Sequence, residues 1–135
     1  MSLFDVFDIA GSAVSAQSLR LNTTASNLAN ADSVASDVES AYRSRQPVFQ
    51  AMSLPDGRVG AGVRMLGVVE SAAPPAVRHD PNHPMANADG DVFSSNVDPV
   101  AELVNMISAS RSYQTNIEVI NTSKTLLLRT LSLGQ

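Results

Sequence analysis

A four-three spacing near the C-terminal end constrains this chain more than any other feature. In residues 96–135, Met106, Ser110, Tyr113, Ile117, Ile120, Lys124, Leu127 and Leu131 alternate steps of four and three, and all but Ser110 and Lys124 are apolar. On a helix that spacing gathers the side chains into one seam, the pattern of a helix packed lengthwise against another. Asp98 is placed to cap the start, and Pro99 suits the first helical position, where no donor is needed. Gly134 stands where a helix would stop. A helix over residues 99–133 would rise about 1.5 Å per residue and run roughly 50 Å. A compact chain of this length has a radius of gyration of only about 14 Å. Such a rod is expected to meet neighbouring chains.

The other end repeats the pattern. Phe7, Val14, Leu21 and Leu28 recur every seven residues, with Ile9, Ala13, Ala16 and Ala25 on adjoining faces. Residues 9–31 hold no proline, and Arg20 is their sole charged residue before Asp32. The polar positions are Ser, Thr, Asn and Gln instead. A solvated helix usually carries charge on its outer face. A helix of hydroxyls and amides suits surroundings in which those groups find protein partners. The plainer reading, a marginal amphipathic helix in an ordinary bundle, stays open because short heptads discriminate weakly.

Between the helices the grammar changes. Residues 32–96 hold all but one of the 7 prolines and all but two of the 7 glycines. Residues 46–52 and 63–70 are short, apolar and β-branched, and Pro55-Asp56-Gly57-Arg58 between them is a turn signal, so a β-hairpin or small sheet is expected. Pro74, Pro75, Pro81 and Pro84 disfavour a regular helix or a central strand over residues 73–88. Asp89-Gly90 marks a further turn before a short strand at residues 91–94.

Composition narrows the function classes. A net charge of −4 without Lys or Arg runs argues against nucleic acid or an anionic membrane as partner. No apolar run approaches the roughly 20 residues of a membrane span. The N-terminal stretch has no basic region and carries Asp5 and Asp8, unlike a conventional secretory signal. The absence of cysteine excludes a disulfide scaffold and thiolate metal sites.

Local patterns that suggest catalysis do not hold together. His79 and His83 have a metal-like separation, but Pro81 between them and Pro84 after them deny the helical geometry that would converge both on one ion. A turn whose side chains bond nearby backbone is the better reading. Gly57, Gly60 and Gly62 match neither phosphate-loop nor dinucleotide spacing, and no serine sits in a nucleophile elbow. The chain is read as non-enzymatic, with no catalytic, cofactor-binding or metal residues.

The same residues resemble the bacterial flagellar basal-body rod family, and within it the proximal-rod type. The N-terminal helix runs into Asn27-Leu28-Ala29-Asn30, similar to the family's Asn-x-Ala-Asn segment. Asp80-Pro81-Asn82-His83-Pro84 resembles a proximal-rod motif, and Asn96-Val97-Asp98-Pro99 resembles the family's entry into its last helix. The run from Ala109 to Asn116 looks like that helix's signature, and Thr130 to Gln135 looks like its ending. Asp91 stands where the family usually has Tyr, and residues 32–39 replace a familiar Thr-Pro stretch. The resemblance implies passage through the flagellar type III export apparatus without a cleaved signal. It also implies polymerisation with copies of itself and other rod proteins into a rod crossing the periplasm.

The expected fold is mainly α with a small β-rich insert. Its two terminal helices pair as an antiparallel coiled-coil-like hairpin. Residues 1–31 and 96–135 form the helical domain, and residues 32–95 the insert. The expected assembly interface comprises Phe7, Val14, Leu21, Asn27, Leu28 and Asn30 on the first helix, and Met106, Tyr113, Ile117, Ile120, Leu127 and Leu131 on the last. No small-molecule substrate or membrane span is expected. The alternative is a free-standing helical adaptor or chaperone-type binding module that uses the same seam.

Overall fold

The computed structural model describes residues 3–53 and 61–134. In chain order these form α1 (Leu3–Ala29), β1 (Val34–Ala35), β2 (Arg45–Ser53), β3 (Ala61–Glu70), β4 (Ala76–His79), β5 (Asp91–Ser94) and α2 (Pro99–Leu133). The turn expected at Pro55-Asp56-Gly57-Arg58 lies outside the described residues, as do Gly57 and Gly60.

Helix α2 begins where its chemistry requires. Asp98 Oδ1 accepts the N–H groups of Val100 (2.9 Å) and Ala101 (3.2 Å), two donors that have no partner inside the helix. Pro99 occupies the first helical position. The helix stops at Leu133, where the Gly134 N–H turns back to the Leu131 carbonyl (3.3 Å). Helix α1 ends at Ala29, and Asn30 closes it by donating its backbone N–H (3.2 Å) and its side-chain amide (2.8 Å) to the Ser26 carbonyl.

Strands β2 and β3 pair with each other. The contacts Arg45–Glu70 and Gln50–Arg64 run in opposite sense along the two strands, as antiparallel pairing demands. Alternation is clear in both. Pro47 and Phe49 face inward with Val63, Met65 and Gly67, while Val48, Gln50, Arg64, Leu66 and Val68 are exposed. The other sheet has the order β1-β5-β4, antiparallel throughout, with Val34 opposite Ser94, Val77 opposite Phe93 and His79 opposite Asp91. Strand β4 lies at an edge between Pro75 and Pro81, a placement that proline permits.

The expectation of a mainly α chain is corrected by these sheets: the two helices take about half of the chain, and two separate sheets give it a mixed helix-and-sheet fold. The reason is non-local pairing. Two residues of β1 become a strand only because β5, far along the chain, supplies their partner, which no local propensity encodes. By contrast, residues 91–94 form a strand as expected, and the two apolar runs before them extend to 45–53 and 61–70.

The chain folds as two compact units. One comprises Met1–Leu21, Pro47–Gly67 and Ile107–Gln135, and the other Asn22–Gln46 and Val68–Met106. The start of α1 shares a unit with the end of α2, and the end of α1 with the start of α2. That partition is compatible with a helical hairpin. The buried apolar residues are small: Ala10, Ala16, Ala35, Ala41, Val92, Val97 and Ala109. Such a core excludes water but removes little apolar area per residue.

Candidate functional site

In the second unit, Asn27 is fully buried at 0% exposure. Its side chain holds the segment that leads into β2. Nδ2 donates to the Arg45 carbonyl (2.8 Å), while Oδ1 accepts the Arg45 N–H (2.9 Å) and the Tyr42 hydroxyl (3.0 Å). An amide suits this task because it offers donor and acceptor together to one peptide unit. The Arg45 guanidinium stacks 5.5 Å from the Tyr42 ring centre and pairs with Glu70 at 3.2 Å. Asn96 grips the same segment from the other side: Oδ1 accepts the Ser44 N–H (2.6 Å), and Nδ2 donates to the Ala73 carbonyl (2.8 Å).

In the first unit, Ser12 performs the equivalent service. Its hydroxyl donates to the Ile9 carbonyl (2.7 Å) and accepts the Val63 N–H (3.0 Å), so it anchors β3 to the helix. Gly62 permits that approach, because a Cβ there would lie 3.1 Å from Ser12 Oγ.

The motif around His79 and His83 forms a closed turn. His79 Nδ1 lies 2.9 Å from Asp91 Oδ1, and His83 Nδ1 accepts the Met85 N–H (3.0 Å). Asn87 Oδ1 accepts the N–H groups of Asp89 (3.0 Å) and Asp91 (2.9 Å). Gly90 has φ of 79°, a left-handed conformation that glycine adopts without penalty. A Cβ at that position would also come within 3.0 Å of His79 and Pro81. Among the described residues no group of three His, Cys, Asp or Glu could hold a metal ion, and no helix is long and apolar enough to cross a membrane.

The residues expected at an assembly interface divide by burial. Asn27 is buried within its own chain, whereas Asn30 is half-buried and bonds the end of α1. Phe7, Val14, Leu21 and Leu28 are half-buried, and so are Met106, Tyr113, Ile117, Ile120 and Leu127. Leu131 is exposed. The buried positions of the helices carry smaller or polar side chains: Asp5, Ala10, Ala16, Thr24 and Asn27 on α1, and Glu102, Ala109 and Ser123 on α2. The buried stripe of α2 thus shares Met106, Tyr113, Ile120 and Leu127 with the four-three seam. It continues through Glu102, Ala109 and Ser123, while Lys124 and Leu131 turn outward.

The outer surface of α2 reverses the usual distribution. Val100 is 70% exposed, Leu103 50% and Val104 62%, and Ile107, Leu126, Leu128 and Leu133 are exposed as well. Large apolar residues outside and small ones inside describe a surface awaiting cover. An open recess of about 420 Å³ lies in the second unit, lined by Asn22, Thr23, Ser26, Arg45, Val68 and Glu70. Its amides, hydroxyls and exposed ion pair can hydrogen-bond a chain segment.

Local sequence reading misses the roles of Ser12, Asn27, Asn96 and Gly62, because their partners are distant in the chain. The available signal was compositional: uncharged hydrogen-bonding residues on a helix almost free of charge.

These elements coincide with known sequence families. Residues 7–35, from α1 into β1, match the flagella basal body rod protein family. Residues 90–133, which carry β5 and α2, match the family described as flagellar basal body rod FlgEFG protein C-terminal. Over the full length of both chains, the sequence is 54% identical to the flagellar basal-body rod protein FlgC of Salmonella typhimurium. The chain belongs to the flagellar basal-body rod proteins. Among other rod proteins of the same description, that of Escherichia coli O157:H7 is 53% identical and that of Buchnera aphidicola from Acyrthosiphon pisum 43% identical, each with 100% of both chains covered. The two stretches matched as rod-protein families are therefore the helical ends and their immediate strands, while the full-length relatives extend the likeness through the β2–β3 pair.

Proposed function

We propose that this rod-family chain is a structural, non-enzymatic subunit of the flagellar basal-body rod, placed in the proximal rod. It transmits torque through packed helices, since close-packed interfaces resist deformation. The observation that carries this reading is the reversed relief of α2, with Ala109 and Ser123 buried while Val100, Leu103, Val104 and Ile107 are exposed. A surface of that kind reaches its stable state only when other subunits cover it. Contacts between unlike faces need not close and so build a filament.

The subunit reaches its site through the flagellar type III export apparatus, without a cleaved signal. There it joins copies of itself and other rod proteins in the periplasm. The test is deletion and complementation in the source bacterium, with the tagged chain followed into detergent-extracted basal bodies. The expected result is loss of motility on deletion and recovery of the complementing chain in the rod. Normal motility in the deletion strain, or absence of the chain from basal bodies, would overturn the proposal. Genes for other basal-body parts beside this one would support it.

A further inference from the structure

We propose that His79 and His83 make the turn between β4 and β5 pH-sensitive, so that mild acid frees residues 83–86 while the strand end of the turn stays closed. The device belongs to the single chain and does not depend on the rod reading. Backbone bonds close the turn. The His83 N–H donates to the Asp80 carbonyl (3.1 Å), the Ala86 N–H to the His83 carbonyl (3.0 Å), and the Asp80 N–H to the Gly90 carbonyl (2.8 Å). One imidazole stands at each end, and the two have opposite roles.

His83 Nδ1 accepts the Met85 N–H (3.0 Å). A backbone N–H can only donate, so Nδ1 keeps its lone pair and the single proton of the neutral ring sits on Nε2. The next proton can go only to Nδ1, where it would meet the Met85 N–H donor to donor. The closed turn and a protonated His83 therefore exclude each other. His79 Nδ1 lies 2.9 Å from Asp91 Oδ1, its partner in the register of β4 and β5. A carboxylate only accepts, so this Nδ1 carries a proton. A second proton on Nε2 keeps the bond and adds charge to it.

The charge that faces His79 is Asp91 of β5, with Arg78 and Asp80 beside it and paired to each other at 3.7 Å. Asp89, the turn's other carboxylate, is exposed. Among the described residues no charged group pairs with His83, so nothing there offsets the lost bond. Imidazoles change charge between about pH 5 and 8, a window in which carboxylates generally stay ionised. At His83 the open form binds the extra proton and gains as pH falls. At His79 the closed form binds it and gains. Met85 is already 41% exposed, so its freed N–H passes to water and the opening stays local.

Hydrogen exchange followed by NMR on the purified full chain, corrected for its intrinsic pH dependence, reads both ends of the turn. From about pH 8 to about pH 5 the Met85 amide is expected to lose protection about fivefold, the worth of one neutral hydrogen bond. The Asp80 amide is expected to keep its protection. In His83→Asn the side-chain carbonyl accepts the Met85 N–H as an Asx turn and cannot titrate, so protection of Met85 is expected to be flat across the range. Flat protection in the parent, an acid step that survives in His83→Asn, or loss at Asp80 together with Met85 would each overturn the proposal. An unprotected Met85 amide at about pH 8 would do so as well, because the closed turn would then be absent in solution.

Discussion

Asn27 and Asn96 resemble family motif positions, and each spends its side chain on its own subunit. Asn27 bonds both polar groups of the Arg45 peptide unit and the Tyr42 hydroxyl. Asn27→Ala leaves these partners without their bonds in a buried place and is expected to cost about 2–4 kcal/mol, against about 1 kcal/mol for Tyr42→Phe. Urea denaturation of the purified variants checks the order, and equal midpoints for Asn27→Ala and the parent would refute the clamp. Asp37 organises the preceding loop differently. The Ser40 hydroxyl first, and then the Ser40 N–H, hold its carboxyl below the ordinary value of 3.8, with Glu39 N–H and the Ser36 hydroxyl adding to the effect. A depressed folded-state pKa means that the turn's contribution is complete above the ordinary Asp range. It is lost as pH falls through the lowered value. Amide exchange at Glu39 and Ser40, corrected for its intrinsic pH dependence, should therefore accelerate only below the ordinary Asp range. Asp37→Asn should remove that acid-induced step.

Helix α2 is where local and long-range demands are easiest to separate. Its start follows from Asp98 and Pro99, and its length from the unbroken run of helix-compatible residues that follows. Which side faces inward is set by packing: Glu102, Ala109 and Ser123 are buried, and the bulkier Met106, Tyr113, Ile120 and Leu127 lie half-covered beside them. Ile120→Asp or Leu127→Asp places a carboxylate in that stripe, where an unpaired buried charge costs several kcal/mol. Either change is expected to abolish incorporation into the rod while leaving the β-rich segment soluble. Basal-body fractionation and swimming assays measure the outcome. Normal incorporation of both variants would remove the stripe from the proposed interface.

Among the described residues the buried apolar side chains are small, with Val92 the largest of those fully sealed from solvent. Ordering a chain costs about 1–2 kcal/mol of backbone entropy per residue, and a core of alanines offsets that weakly. The isolated monomer is therefore expected to be markedly less helical than the assembled chain, with residues 9–31 and 99–133 ordering as neighbours cover them. Such coupling suits passage through a narrow export channel and delays polymerisation until the chain arrives. Circular dichroism and amide exchange on dilute monomer check this. Strong protection of both helices there would favour the free-standing adaptor.

The sequence by itself determined the features that depend on near neighbours. Asp98 and Pro99 start α2, short β-branched apolar runs mark β2 and β3, and Asp89-Gly90 makes the turn into β5, because each involves residues within a few positions of one another. The resemblance carried by the two ends was legible for the same reason, being written in contiguous motifs. Only the tertiary structure decided that β1 and β4 flank β5, that Asn27 and Asn96 grip the segment leading into β2, and that Ser12 anchors β3. It also decided that α2 turns Ala109 and Ser123 inward and Val100, Leu103 and Val104 outward. Hydrophobicity favours the reverse orientation for an isolated subunit. Small and polar side chains fill the buried positions, and the large apolar ones stay exposed on α2.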